Sequence, residues 1–249
     1  MSAVYRIVFF IFLCLHVIHA NAQAAGTALP NLDSILQQHY AATGDFSRLQ
    51  SRRVKLRIIG MAPFEIPSTV EAKRPNLLRR DVFLQGQVQS SAHDGKDAWK
   101  IDPFLSSGKQ TVNMPTDELP ALIEEAYFDG ILVAAQKSGF QLRYQGEEKL
   151  DGKSVHVIKV SVPGTGESSI YLDASNFLEV KRVQKRPVMG QMTELEIFSM
   201  DYRKQDGLQL PFRIEIGTKG ASQRMRMIID QVDNNPVIAA SRFQRPAGN

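Results

Sequence analysis

Leu208-Gln209-Leu210-Pro211-Phe212-Arg213-Ile214-Glu215-Ile216 carries an apolar side chain at every even position. Successive side chains of a strand point to opposite faces, so this segment is a strand with one dry face and one wet face. Pro211 falls at an odd position near the start, where a missing N–H does least harm. Arg53-Val54-Lys55-Leu56-Arg57-Ile58 alternates just as strictly. In Ile170–Val183, Tyr171 and Leu172 run into the turn formers Asp173-Ala174-Ser175-Asn176. Leu178 and Val180 then alternate with Glu179 and Lys181, which the pattern places on the wet face. A chain of such units folds as antiparallel sheet: strand, tight turn, strand.

The same logic predicts strands over 64–73 (interrupted by Pro67), 77–84, 88–93, 96–101, 140–147, 155–162, 192–202 and 221–230. Asp94-Gly95, Asp151-Gly152 and Asp206-Gly207 mark hairpin turns between them. Two stretches break the period. Leu32, Ile35, Leu36 and Tyr40 recur at helical spacing between Pro30-Asn31 and Gly44, so a helix precedes the first strand. Residues 104–139 hold a helical excursion. Thr116 or Asp117 can cap a helix whose apolar side is Leu119, Leu122, Ile123 and Ala126, with Pro120 in the first turn. Asp129-Gly130 ends it, and 131–137 forms a second short helix. After Asn234-Asn235-Pro236 comes an irregular tail with Val237, Ile238 and Phe243.

The first residues are an address. Arg6 precedes an apolar run over 7–18, and Ala20-Asn21-Ala22 supplies small residues at a cleavage site. The run is short of the ~20 residues that span a bilayer. Residues 1–22 are therefore expected to be a cleaved secretory signal, and 23–249 a single domain starting at Gln23. Cys14 lies inside the apolar run after Leu13, a poor lipidation context, and it is the one cysteine of the chain. A mature chain of this length can bury a sufficient core without disulfides.

Catalytic patterns are missing from the sequence. His39, His93 and His156 fall in different elements with no second ligand at metal spacing. There is no HExxH helix, no G-x-S-x-G elbow and no thiol outside the signal. Gly164-Thr165-Gly166 lacks the Gly-Lys-Ser/Thr of a phosphate loop. Asp117-Glu118 and Glu147-Glu148 sit at a helix start and a turn, where solvated charge is ordinary. No enzyme activity, metal or cofactor is expected, and a net charge of +4 is too small to argue for nucleic acid. Apolar side chains are instead in excess for one sheet. Met189, Met192, Met200, Met225 and Met227 cluster late in the chain. Methionine fills cores, and it also suits surfaces that accept variable apolar shapes. A curved sheet needs a cover for its concave apolar face, and a cover that moves makes a pocket.

The order of several short segments resembles the LolA/LolB-like periplasmic lipoprotein carriers, in the branch of outer-membrane lipoprotein-sorting proteins. These segments are Lys73-Arg74-Pro75-Asn76 leading into Leu77-Leu78-Arg79, the hairpin His93–Trp99, and Phe128-Asp129-Gly130-Ile131-Leu132. They continue with Gly146–Lys153, Tyr171-Leu172-Asp173 and Asp201–Pro211. The resemblance implies a mainly antiparallel, strongly curved half-open β-barrel of about 11 strands, with the N-terminal helix and a helical lid over the concave face. It implies a monomeric periplasmic protein that takes up acyl chains of a lipoprotein or lipid, between membrane-bound donor and acceptor proteins. On this reading Leu208, Leu210, Phe212, Ile214, Ile216, Met225 and Met227 face the acyl chains, and Leu119, Leu122, Ile123 and Ala126 belong to the lid. In such carriers an arginine on an early strand helps control the closed state, and Arg53, Arg57, Arg74, Arg79 and Arg80 are all candidates here. The same fold also serves envelope-stress sensors, and a structural envelope subunit with a self-filled core is a third reading.

Overall fold

The computed structural model describes residues 31–106, 108–163, 165–188 and 191–246. The signal segment 1–22 and its cleavage site lie outside these residues, as do Met189 and Gly164. In chain order the elements are α1 (Leu32–Thr43), β1 (Ser51–Ile59), β2 (Ile66–Lys73), β3 (Leu77–Leu84), β4 (Gln87–His93), β5 (Ala98–Ile101) and β6 (Thr111–Asn113). Then come α2 (Leu119–Ala126), α3 (Ile131–Ser138), β7 (Gln141–Leu150), β8 (Lys153–Val162), β9 (Gly166–Asp173), β10 (Glu179–Val188), β11 (Gln191–Gln205), β12 (Leu208–Thr218) and β13 (Met225–Asn234).

The strands form one antiparallel sheet of 13 strands, in the order β6-β5-β4-β3-β2-β1-β13-β12-β11-β10-β9-β8-β7. Two hairpin meanders, β1–β6 and β7–β13, are thus joined where the first strand pairs with the last. The edges β6 and β7 do not pair with each other, so the barrel stays half open. The topology explains the helical excursion. Chain leaving β6 at one edge must reach β7 at the other, and α2 and α3 carry it across the concave face.

Two clusters of buried side chains fill the trough. Under α2, Leu122 and Ala126 pack with Leu56, Leu78, Leu210 and Ile229. Under α1 and α3, Ile35 and Leu132 pack with Ile158, Val160, Ile170 and Leu172. Asn31 caps α1, accepting from the Ser34 N–H at 2.8 Å. The helix ends at Gly44, with φ +95°, and a Cβ there would sit 2.4 Å from the Gly207 carbonyl oxygen. Only glycine lets α1 approach the β11–β12 turn this closely.

The convex face is less bare than alternation suggests. The row Arg53, Glu71, Arg79, Ala92, Trp99 runs across β1 to β5, and the C-terminal tail lies on it. Ile238 and Phe243 are buried while Val237 is exposed. The Trp99 indole donates to the Phe243 carbonyl at 2.9 Å, and Lys73 donates to that of Ile238 at 2.8 Å. Arg242 pairs with Glu71 and Asp81, each at 2.9 Å.

Several boundaries differ from the sequence expectation for local reasons. Strand β6, of three residues, is too short to show a period. The chain turns at 218–221, with the Ala221 N–H donating to the Thr218 carbonyl at 2.9 Å, so β13 starts at Met225 rather than Ala221. Glu118 takes the N-cap position of α2 without a side-chain cap, in place of Thr116 or Asp117. Replacing Phe243 by alanine should cost roughly 3–5 kcal/mol. It should also move Trp99 emission to the red, read by urea unfolding and tryptophan fluorescence. An unchanged spectrum would mean that the tail does not shield the indole.

Candidate functional site

The candidate site is the space left between the trough and its helices. Strand β12 builds its floor. Ile214 stands opposite Ser199 of β11 and Met227 of β13; Ile216 stands opposite Ile197 and Met225. A bulge in the β1–β13 pairing sets Leu56 against Ile229 and Lys55 against Gln231. It passes over Asp230, which pairs outside with Arg57 at 2.9 Å. Ile229 and Val232 therefore both face inward.

A cavity of about 400 Å³ opens between this floor and the helices. Leu210, Pro211, Ile214, Ile216, Met227 and Ile197 form its floor, and Phe128, Ile131 and Leu132 its roof. An adjoining space of about 200 Å³ is walled by Val54, Leu56, Val70, Ala72, Leu78, Ile229 and Val232. Both spaces share Arg52, Glu125, Phe128, Leu210, Pro211, Ile214 and Met227. Together they lie within the ~300–1,000 Å³ of typical small-ligand sites.

Of the residues singled out from sequence, Leu210, Ile214, Ile216 and Met227 line this space. Leu208 and Phe212 face the same side but are buried in the core, and Met225 packs at its edge. The methionines do not act as one cluster. Met192 is exposed, and Met200 lies on the convex side beneath the Arg213 guanidinium. In α2, Leu122 and Ala126 are buried, Leu119 packs beside them, and Ile123 is half-buried.

The far wall of the cavity is charged, and sequence reasoning missed it. The register shifts between Glu179 and Lys181, where β9 offers the adjacent residues Leu172 and Tyr171. This bulge turns Glu179 inward, against the wet-face expectation, and lets it pair with Arg182 at 2.9 Å. Arg182, Gln184 and Arg186 then follow on the concave side. Glu124 of α2 meets them: it accepts from Gln184 and Arg186 and is as buried as they are. Arg186 also donates to the Thr165 carbonyl. Period-two reading cannot foresee a bulge, and Glu124 sits off the apolar stripe of its helix. A helix lying in a trough has walls on two sides, so it buries two faces.

The early arginines separate cleanly. Arg53, Arg57 and Arg79 are on the convex side, where they pair with Glu71, Glu65 and Asp230, and Asp81. Arg80 reaches Glu125 of α2. Arg74 holds Asp129, between α2 and α3, at 2.8 Å, and Lys137 joins at 3.2 Å. Arg52, not among the candidates, donates to the Phe128 carbonyl. Burial lowers the pKa of Arg80, with Glu118 opposing. For Arg182 burial also pulls downward, but Glu179 and Glu124 outweigh it and the pKa is raised. His39 lines the cavity, and its Nδ1–H donates to the Phe177 carbonyl at 2.8 Å. Burial lowers its pKa, partly offset by that carbonyl.

No family model and no curated protein matches the sequence. Solved structures do. A LolA superfamily protein from Nitrosomonas europaea superposes with a TM-score of 0.59 at 15% identity, over 86% of this chain and 97% of that one. The fold is LolA-like. A putative outer membrane lipoprotein-sorting protein domain from Vibrio parahaemolyticus gives 0.56 at 11% identity, covering 84% and 94%. A DUF1329 family protein from Desulfovibrio piger gives 0.55 at 8%, again covering 84% and 94%. The sheet has 13 strands, where the sequence resemblance implied about 11.

Two outcomes test the charged wall. Glu124→Ala leaves Arg186 buried without its carboxylate and should cost roughly 3–5 kcal/mol in urea unfolding. The double change Glu124→Leu with Arg186→Leu should recover most of it, because an apolar pair replaces a buried ion pair at little cost. Equal losses for both would show that the pair does not couple. His39 has a folded pKa below its unfolded value. Its contribution is therefore full above the unfolded value, about 6.5, and is lost as pH falls toward the folded value. His39→Gln should flatten the stability profile below pH ~6.5, measured by melting between neutral and mildly acidic buffer.

Proposed function

We propose that this protein is a non-enzymatic carrier of the bacterial envelope that shelters the acyl chains of a lipid or lipoprotein in the cavity under α2 and α3. One observation carries the reading: the floor row Leu210, Ile214, Ile216 and Met227 lines an open cavity beside the packed core. An apolar row exposed to a void is unfavourable, because each large side chain gains roughly 1.5–3 kcal/mol only on full burial. A ligand chain supplies the missing contacts. The LolA-like fold supports the same reading, since the proteins of like fold include one described as lipoprotein-sorting. On this proposal the signal over residues 1–22 directs the chain to the periplasm, where it works as a monomer between membrane-bound donor and acceptor proteins. The segment 117–137 acts as the lid, and entry requires it to shift on the microsecond-to-millisecond scale of such motions.

The test is Ile214→Asp, followed by thermal melting alongside uptake of a fluorescent fatty-acyl probe. In a cavity that water enters when the ligand leaves, the carboxylate is hydrated. The fold survives, with the melting temperature within a few degrees, and probe affinity falls at least ~10-fold. In a self-filled core the unpaired charge costs several kcal/mol and the melt collapses, which overturns the carrier in favour of a structural subunit. Unchanged uptake in a stable variant would place the acyl chain elsewhere.

A further inference from the structure

The acidic side chains that line the cavity are all matched. Glu124 is held by Arg186 and Gln184, and Glu125 by Arg80. Asp129 is held by Arg74 and Lys137, and Glu179 by Arg182. Arg52 is the lining cation that this pairing leaves over: among the described residues no carboxylate lies within ion-pair distance of it.

Its position is distinctive. Arg52 lies where the larger cavity and the apolar space meet, and it lines both. The guanidinium carbon is 5.9 Å from the Phe46 ring centre and 5.3 Å from that of Phe128, and one N–H group donates to the Phe128 carbonyl. Two rings and one carbonyl hold the fork in place, and among the described residues its other N–H groups have no protein acceptor. Burial lowers the pKa to about 10, with Asp129 opposing and Arg74 adding, so the group remains a cation at neutral pH. Arg52 is half-buried, and a partly desolvated cation without a counterion gains from an anion brought in with a ligand. The planar fork suits a carboxylate or phosphate, which it can meet with two parallel hydrogen bonds. From that point Val54, Leu56, Leu78, Ile229 and Val232 offer a wholly apolar path.

We propose that Arg52 is the headgroup site of the cavity, and that the ligand is a single acyl chain bearing an oxyanion head, with the chain running into the apolar space. This rests on the carrier reading above and narrows its ligand class. Neutral esters then bind by their chain alone.

The experiment is competition against a neutral fluorescent acyl probe by palmitate, by 1-palmitoyl glycerol phosphate and by methyl palmitate, on wild type and Arg52→Met. At least one of the two anions should displace the probe at ~10-fold lower concentration than the ester, and Arg52→Met should erase that advantage, read as the ratio of anion to ester within each variant. Whichever anion wins identifies the head as carboxylate or phosphate. Should Arg52→Met melt early, Arg52→Lys keeps the charge without the fork and decides instead: a reduced advantage supports the site. An advantage that survives in whichever variant is read overturns the proposal. So does equal displacement by all three ligands on wild type, which leaves the carrier intact. Displacement by none overturns both.

Discussion

The structure depends on how an α-helical crossover is fastened into a trough of sheet. An apolar helix face fits a curved apolar floor in many registers, because the hydrophobic effect is non-directional. Direction comes from the polar contacts. Glu124 meets Gln184 and Arg186 on one side, and Glu125 meets Arg80. Asp129 meets Arg74 and Lys137, and the Phe128 carbonyl accepts from Arg52. Apart from Lys137 of α3, these partners come from β1, β3, β10 and the β2–β3 turn, that is, from both meanders. These contacts favour one resting position of the helices, and that position leaves part of the β12 floor, at Ile214 and Ile216, lining open space. The void is therefore a product of the polar contacts. A purely apolar cover would slide down and fill it.

The cavity is accordingly divided by chemistry. The side toward β1, β2 and β13 is aliphatic, and the side toward β10 carries charge in matched pairs. Such a space does not hold water and hydrocarbon equally well along its length. On the carrier proposal an extended chain has a preferred end and a preferred direction in it, and the electrostatic wall, once neutral by pairing, contributes little pull of its own.

What was legible in the sequence was whatever repeats. Leu208 to Ile216 could be assigned to one face because the period of a strand is two, and the structure keeps them there. The helical excursion was legible because 119–138 breaks that period. Glu179 and Arg182 were not, because one bulged residue inverts the faces on either side of it. Glu124 was not, because one-sided amphipathicity assumes one wall. Ile238 and Phe243 were visible as apolar residues in the tail, but irregular chain carries no period from which to learn that both are buried and that Phe243 meets Trp99. Arg52 was not singled out. It shares neither the spacing nor the face of Arg53, Lys55 and Arg57, and its contacts with Phe46 and Phe128 are made across the trough.

The pairing of the first strand with the last has a consequence for the order in which the molecule comes into being. The meander β1–β6 can form hairpins as it emerges, and so can β7–β12, but neither alone has the floor on which α2 sits, which draws on both. That floor exists only when β13 docks between β1 and β12. The tail beyond β13 must then reach back to Trp99. Loop closure across nearly the whole chain precedes any reward from the interior, which is the signature of slow, topology-limited folding. Until the final segment arrives, two half-sheets stand with open edges and exposed apolar faces. That interval, rather than the finished fold, is when this chain is most exposed to aggregation.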